Sequence, residues 1–276
     1  MKLNTVFIGN IAYDINSFYY GEKEEQLTIK NKGGACLYSA IPASLFYRVG
    51  IVGKIGDDFD TSIFSEYDID TKGLKVYENE KTTYFHQIYK YKNQKIRQVE
   101  ENINKKLIIL EEDIPNEYLQ ANHIHITTNE PKIQLRLVKY IRKKSNAIIS
   151  VDTIEGYSKE KITKEVFDLV DIAFIDEEFT DLLDCTSKIK IIKKGPNGCE
   201  YISKNEKFFV DVNKIDAVDK TGAGDCMNGV FINLISNGWS NKEALERATK
   251  VATESIKDNG IEHLKTKTFL YNKNNG

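Results

Sequence analysis

Residues 219–225 read Asp-Lys-Thr-Gly-Ala-Gly-Asp, and the next ten residues, Cys226 to Ile235, carry apolar side chains at helical spacing. A glycine-rich turn that opens a helix leaves backbone N–H groups unpaired at the positive end of the helix dipole, which makes an anion site. The expected donors are the amides of Gly222, Ala223 and Gly224. Asp225 places a carboxylate at the same helix start. A base beside an anion hole is the minimum equipment for moving a phosphoryl group onto a hydroxyl. By itself, Gly-x-Gly-Asp suits a plain helix start after a tight turn equally well. The chain contains no Gly-x-x-x-x-Gly-Lys-Ser/Thr and no Gly-x-Gly-x-x-Gly, which argues against P-loop and dinucleotide sites.

Other residues could supply the remaining contacts. Asp14 is expected to end the first strand, at the edge where ligands gather in parallel α/β sheets. Its carboxylate could accept two sugar hydroxyls or close an Asx turn. Gly33-Gly34 would let backbone N–H groups approach a hydroxyl, or simply turn the chain. Lys194-Gly195-Pro196-Asn197-Gly198 follows an apolar run and reads alone as a hairpin turn. Asp176-Glu177-Glu178 is chemically adequate for magnesium, and equally suits an acidic first helical turn. His123 and His125 share a strand face without an evident third ligand, so they read as packing residues. Trp239, beside Gly238, reads the same way.

Apolar, β-branched runs alternate with amphipathic stretches, as parallel βαβ units require. Strands are expected at Thr5–Ile8, Gly50–Lys54, His123–Thr127, Ala147–Val151, Ile172–Ile175 and Ile189–Lys193. Helices are expected at Ala35–Tyr47, at Pro131–Lys144 with proline where a helix start tolerates it, and at Asn241–Ile256. Glu24–Lys32 and Thr82–Glu100 show period-two patterns instead, with Thr83, Phe85, Gln87, Tyr89 and Tyr91 on one face and a turn at Asn93. They predict a small antiparallel sheet inserted at about 16–32 and 76–100. The lack of a Pro/Gly-rich linker makes 1–276 a single domain.

Composition narrows the function. The 276 residues are 41% hydrophobic with a formal charge of −2, enough for a substantial core and no basis for binding a polyanion such as nucleic acid. The short apolar run at the N-terminus reads as a strand rather than a signal peptide. No apolar stretch reaches membrane-spanning length. Cys36, Cys185, Cys199 and Cys226 show neither paired spacing nor neighbouring histidines, which fits a reducing cytoplasm.

The longer strings identify a resemblance. Asp219-x-Thr221-Gly222-Ala223-Gly224-Asp225 with Gly229 resembles the C-terminal signature of the ribokinase-like (PfkB) carbohydrate kinases. Gly33-Gly34-Ala35-Cys36-Leu37-Tyr38-Ser39-Ala40, running on to Gly53-Lys54-Ile55-Gly56-Asp57-Asp58-Phe59, resembles the N-terminal one. Gly9–Asp14 and Lys194–Gly198 fall in the family's order. The resemblance implies a three-layer α/β fold, a mostly parallel sheet flanked by helices, with the inserted β strands as a lid over the sugar. It implies ATP with Mg²⁺ as cofactors, Asp225 as catalytic base, and Gly222, Ala223 and Gly224 as the anion hole. Asp14, Gly33, Gly34 and Tyr38 would bind the acceptor. Lys194, Gly195, Gly198 and Thr221 would border the nucleotide, and Asp176, Glu177 and Glu178 would serve the metal. Asp219 and Thr221 match positions that hold potassium in some relatives, which leaves K⁺ dependence open.

Two positions depart from the family's pattern. Tyr38 stands where asparagine usually contacts the sugar, which implies a changed pocket and tilts the acceptor toward a hexose or inositol. Phe179 stands where a glutamate usually follows the strand at 172–175. The expectation is therefore an ATP-dependent kinase for a small sugar or cyclitol hydroxyl, monomeric or homodimeric. A nucleoside kinase of the same fold and a catalytically weak sugar or nucleotide sensor are the alternatives.

Overall fold

The computed structural model describes residues 3–20, 27–91, 95–152, 155–157 and 159–267. Its first part runs β1 (Thr5–Ile8), β2 (Ala12–Tyr20), β3 (Leu27–Gly33), α1 (Ala35–Ser44), β4 (Val49–Gly56), β5 (Ile69–Tyr77), β6 (Tyr84–Tyr91) and β7 (Lys95–Asn102). Next come β8 (His123–Ile126), α2 (Pro131–Lys144), β9 (Ile148–Val151), α3 (Lys161–Asp168), β10 (Ile172–Asp176) and β11 (Ile189–Lys193). The chain continues with β12 (Cys199–Ser203), β13 (Lys207–Val210), α4 (Ala223–Ser236) and α5 (Asn241–Ser255).

Nine strands form one sheet in the order β13-β12-β11-β10-β9-β8-β1-β4-β5. All pairings are parallel except those of the β11–β12–β13 edge. Helices cover both faces, so adjacent residues of one strand enter opposite layers. Phe7 packs with α1, α4 and α5, whereas Val6 and Ile8 pack with α2 and α3. This two-sided burial is why the parallel strands read as unbroken apolar runs. Strand order reverses between β1 and β8, and in open α/β sheets such a switch point opens the binding crevice at the carboxyl ends of the strands.

Local chemistry sets the helix ends. Pro131 opens α2, and the Ser240 hydroxyl caps α5 by accepting the Glu243 N–H at 3.3 Å. α1 stops at Ser44 rather than at Tyr47, because the Phe46 and Tyr47 amides both fold back onto the Ala43 carbonyl. α1 and α4 cross very closely at Gly229, where a β-carbon would lie 2.2 Å from the Ser39 carbonyl oxygen. Glycine there brings Tyr38 and Asp225 onto neighbouring helix faces.

The remaining strands form a four-stranded sheet, β3-β2-β6-β7. It consists of two antiparallel pairs joined by a parallel β2–β6 seam. Asp14 does not end the first strand. β1 stops at Ile8, and Asp14 is the third residue of β2, whose polar Asp14 and Asn16 alternate onto one face of the small sheet. In register, Asp14 faces Asn31 and Phe85, and Asn16 faces Gln87. β5 and the β12–β13 hairpin were not expected from the sequence. The expected turn at Asn93 and the start of the 24–32 segment lie outside the described residues. Among the described residues, no helix is long and apolar enough to cross a membrane.

Candidate active site

Gly222 caps α4 in the left-handed region, φ 71°, where a side chain is strained. The Ala223 amide closes the turn onto the Lys220 carbonyl at 3.3 Å. Gly224 occupies the first turn of the helix, where backbone N–H groups lack intrahelical partners. Asp225 follows, and its Oδ1 is buried without a hydrogen bond. Burial raises the Asp225 carboxyl well above the ordinary carboxylate range. Asp152 adds to that, while the Lys193 ammonium opposes it.

Three successive parallel strands end in charged residues beside this turn: Asp152 just after β9, Asp176 at the end of β10 and Lys193 at the end of β11. Lys193 Nζ lies 2.9 Å from each Asp152 carboxylate oxygen and 3.4 Å from Asp176 Oδ1. On α4, three residues beyond Asp225, the Asn228 amide donates to Asp152 Oδ2 at 2.7 Å.

A cavity of about 300 Å³ opens on the same turn. Asp176, Lys193, Gly195, Gly198, Ala223 and Gly224 line its polar end. Val212, Ile215, Met227, Ala252 and Ile256 line an apolar slot, the usual division of a site that takes a flat apolar ring with an anionic tail. Lys194 is not among its walls, because its ammonium turns to Glu200, 3.3 Å away across the β11–β12 hairpin. Glu177 and Glu178 are exposed, and Phe179 is buried in the α2–α3 layer. Among the described residues, no cluster of three or more His, Cys, Asp or Glu side chains could cage an ion. Asp176, on the cavity wall, fits a hydrated Mg²⁺ carried by nucleotide phosphates better than one held by protein ligands.

Asp14, Gly33, Gly34 and Tyr38, the residues expected to bind the acceptor, gather beside the same turn. Gly34 N–H donates to Asp14 Oδ2 at 3.2 Å. The α-carbon of Gly33 lies so close that a β-carbon would sit 1.9 Å from that oxygen and 2.8 Å from the Tyr38 hydroxyl. Tyr38 is 2% exposed, and its hydroxyl has no hydrogen bond of normal geometry. Burial, reinforced by the Asp14 charge, pushes this phenol upward, and burial also raises the Asp14 carboxyl.

The small sheet closes on the same turn. The Asn16 amide donates to Asp219 Oδ2 at 3.3 Å, and the Gln87 amide donates to Thr221 Oγ1 at 3.1 Å. Asp219 Oδ1 accepts the Thr221 N–H at 2.9 Å. Both Asp219 oxygens are therefore bound by protein donors, and Asp219 and Thr221 tie the small sheet to the glycine turn. At the switch point, a second cavity of about 100 Å³ is lined by Asn10, Thr83, Phe85, Thr128, Asn129 and Ile133, among others.

A family model for pfkB carbohydrate kinases matches residues 2–267. The chain belongs to this family. The kinase is 27% identical to the cytidine kinase of Thermococcus kodakarensis over 279 residues, which cover 92% of this chain and 96% of that relative. Its fold matches Arabidopsis thaliana ribokinase complexed with ribose and ATP, with a TM-score of 0.75, 19% identity and 94% of each chain covered. It also matches a Burkholderia thailandensis nucleoside kinase in complex with inosine, with a TM-score of 0.78, 14% identity, and 97% and 98% of the two chains covered. Family membership makes this an ATP-dependent sugar or nucleoside kinase.

Asp152, Lys193, Asn228, Asn16 and Gln87 were not expected at the kinase's site. For Asp152 and Lys193 a signal existed: each is the charged residue at the carboxyl end of a buried apolar strand. Nothing local marked Asn16 or Gln87, which reach the turn only through the pairing of β2 with β6 in the small sheet. His123 and His125 share the Ser150 hydroxyl at 2.9 and 2.8 Å inside the sheet. The four cysteines are free and buried, and burial pushes the Cys226 thiol up to about 12 despite its place at the helix start.

Proposed function

We propose that this kinase transfers the γ-phosphoryl group of ATP to a hydroxyl of a nucleoside's ribosyl ring, with the base in the switch-point cavity. The observation that carries this reading is the in-register pairing of Asp14 with Phe85. It sets a carboxylate suited to ring hydroxyls beside an aromatic wall of that cavity. The cavity's apolar faces, together with the amides of Asn10 and Asn129 at its rim, suit a flat ring with polar edges. Similarity to the cytidine kinase over most of both chains supports the same reading.

In the proposed reaction the acceptor hydroxyl lies between Asp14, Gly33, Gly34 and Tyr38 on one side and Asp225 on the other. The acceptor oxygen forms a bond to the γ-phosphorus as the bridging P–O bond to ADP breaks. Asp225 takes the hydroxyl proton, worth roughly 10²- to 10⁴-fold in rate. The Gly222 and Gly224 amides would face the charge on the transferring oxygens, the Ala223 amide, expected there from the sequence, being given to the Lys220 carbonyl. Magnesium bound to the nucleotide would neutralise phosphate charge, with Asp176 as the nearest protein oxygen donor. Gly195 and Gly198 would border the nucleotide.

A hexose or inositol is the second reading, favoured by Tyr38, which fills the acceptor side with a ring and offers one hydroxyl there. ADP formation with cytidine, uridine, adenosine, ribose, fructose and myo-inositol separates the two. A nucleoside should exceed free ribose at least tenfold in kcat/KM, about 1.4 kcal/mol of base recognition. Equal values for ribose, or a preference for inositol, would exclude the base pocket. No acceptor-dependent ADP from any of them would point to a sensor.

A further inference from the structure

Lys193 is the buried cation of this site. Its side chain is 11% exposed, against 29% for the neighbouring Lys194. The two tandem lysines point to opposite faces of the strand end, as the period of a strand requires. Lys194 settles on Glu200 at the surface, and Lys193 enters the nucleotide cavity. Its ammonium lies 3.5 Å from where a β-carbon of Gly224 would stand, beside the anion-binding turn. Lys220 also lines this cavity, but it is exposed.

The surroundings hold this ammonium without consuming it. Asp152 binds it with both oxygens, yet Asp152 also accepts the Asn228 amide at 2.7 Å, and its backbone carbonyl accepts the Gln134 amide at 2.8 Å. The carboxylate therefore stays anchored to α4 and to the strand end when the ammonium bends toward a stronger anion. Asp152, Asp176 and Asp225 together would repel a polyphosphate. A lysine at their centre, next to the glycine turn, offsets that repulsion where the phosphate chain must end.

We propose that Lys193 is the cation that meets the terminal phosphates of the nucleotide, with Asp152 and Asn228 as its positioning residues. The proposal rests on the kinase reading and adds a role for a residue outside the glycine signature. An ammonium at that place acts as a compact point charge on phosphate oxygens. Its contact strengthens as the γ-phosphoryl group separates from ADP, so it serves turnover as well as binding.

The test uses Lys193→Met, Asp152→Asn and the double variant, because Lys193→Met alone leaves Asp152 as an unpaired buried charge. Calorimetry with the non-hydrolysable analogue AMP-PNP, with AMP as a control lacking the terminal phosphates, is combined with steady-state rates. The folded double variant should bind AMP like wild type, bind AMP-PNP about tenfold more weakly and turn over at least about 10²-fold more slowly. Asp152→Asn should lower kcat more than it raises the KM for ATP. If the double variant recovers wild-type AMP-PNP affinity and turnover, the ion pair is structural and the proposal fails. Asp225→Asn separates the two readings, since loss of the base leaves AMP-PNP affinity intact.

Discussion

The ring of Tyr38 lies against the α-carbon of Gly222: a methyl group built there would come within 2.2 Å of the ring's Cγ. Tyr38 belongs to α1 and Gly222 caps α4, which carries Asp225, the base of the proposed reaction. One contact thus joins the two halves of the site, and it exists only because residue 222 has no side chain.

Substituting Gly222 by Ala should therefore fail twice over. The methyl group displaces the Tyr38 ring, and alanine at φ 71° adds strain of roughly 1–2 kcal/mol. Turnover should fall at least about 10²-fold. Adding Tyr38→Leu should recover part of the thermal stability without restoring the rate. A Gly222→Ala enzyme with wild-type kcat would show that this contact does not shape the anion hole.

Tyr38→Phe removes a buried hydroxyl that lies against the Asp14 carboxylate without a hydrogen bond of normal geometry. A contact so poorly aligned contributes little, so the unliganded variant should melt within a few degrees of wild type. The KM for the acceptor should rise severalfold while kcat changes less. If the acceptor KM is unchanged, the hydroxyl has no part in acceptor binding.

Asp225→Asn should lose most turnover and gain stability, with a defined pH dependence. In the fold the Asp225 carboxyl holds its proton above the ordinary range, whereas the unfolded chain releases it near about 3.9. Across that window the folded state binds the extra proton, so its stability falls as pH rises. The melting advantage of Asp225→Asn should be absent below about pH 4 and grow toward neutrality. An advantage that shrinks with rising pH would reverse the sign and refute the buried carboxyl. The wild-type rate should fall as acid protonates the base.

His123 and His125 predict acid lability. Burial lowers both imidazoles to about 3, and the unfolded chain takes up their protons near about 6.5. The stability they contribute is complete above the unfolded value and lost as pH falls toward the folded one. Each should cost about 1.4 kcal/mol per pH unit across that window. Denaturant unfolding at several pH values measures the slope. Replacing His123 by Gln, which keeps a donor toward Ser150, should flatten it, and an unchanged slope would remove His123 from the account.

Periodicity sufficed wherever local physics decides. Thr5–Ile8, Pro131–Lys144 and Ile189–Lys193 follow from apolar runs and a proline start, and the structure reproduces those bounds. The strand that carries Asp14 was misread because Ile11-Ala12-Tyr13 resumes the apolar run of Thr5–Ile8 after only Gly9 and Asn10. Leaving the central sheet at Ile8 and joining a second sheet is settled by pairing with Gly33 and Tyr84, far away in sequence. Likewise, Lys193 and Lys194 are chemically equal on paper, and only the register with Asp176 and Cys199 turns one inward.

By itself the sequence determined the family, the parallel α/β layering and the helix start that presents amides beside Asp225. These depend on short-range spacing, glycine conformation and apolar periodicity. The tertiary structure alone decided which residues surround that helix start: the Asp152–Lys193–Asn228 group, the Asn16 and Gln87 amides on Asp219 and Thr221, and the Tyr38 ring over Gly222. Those contacts join residues from 41 to 203 positions apart. Their geometry comes from strand order and helix crossing, which no local pattern of residues encodes.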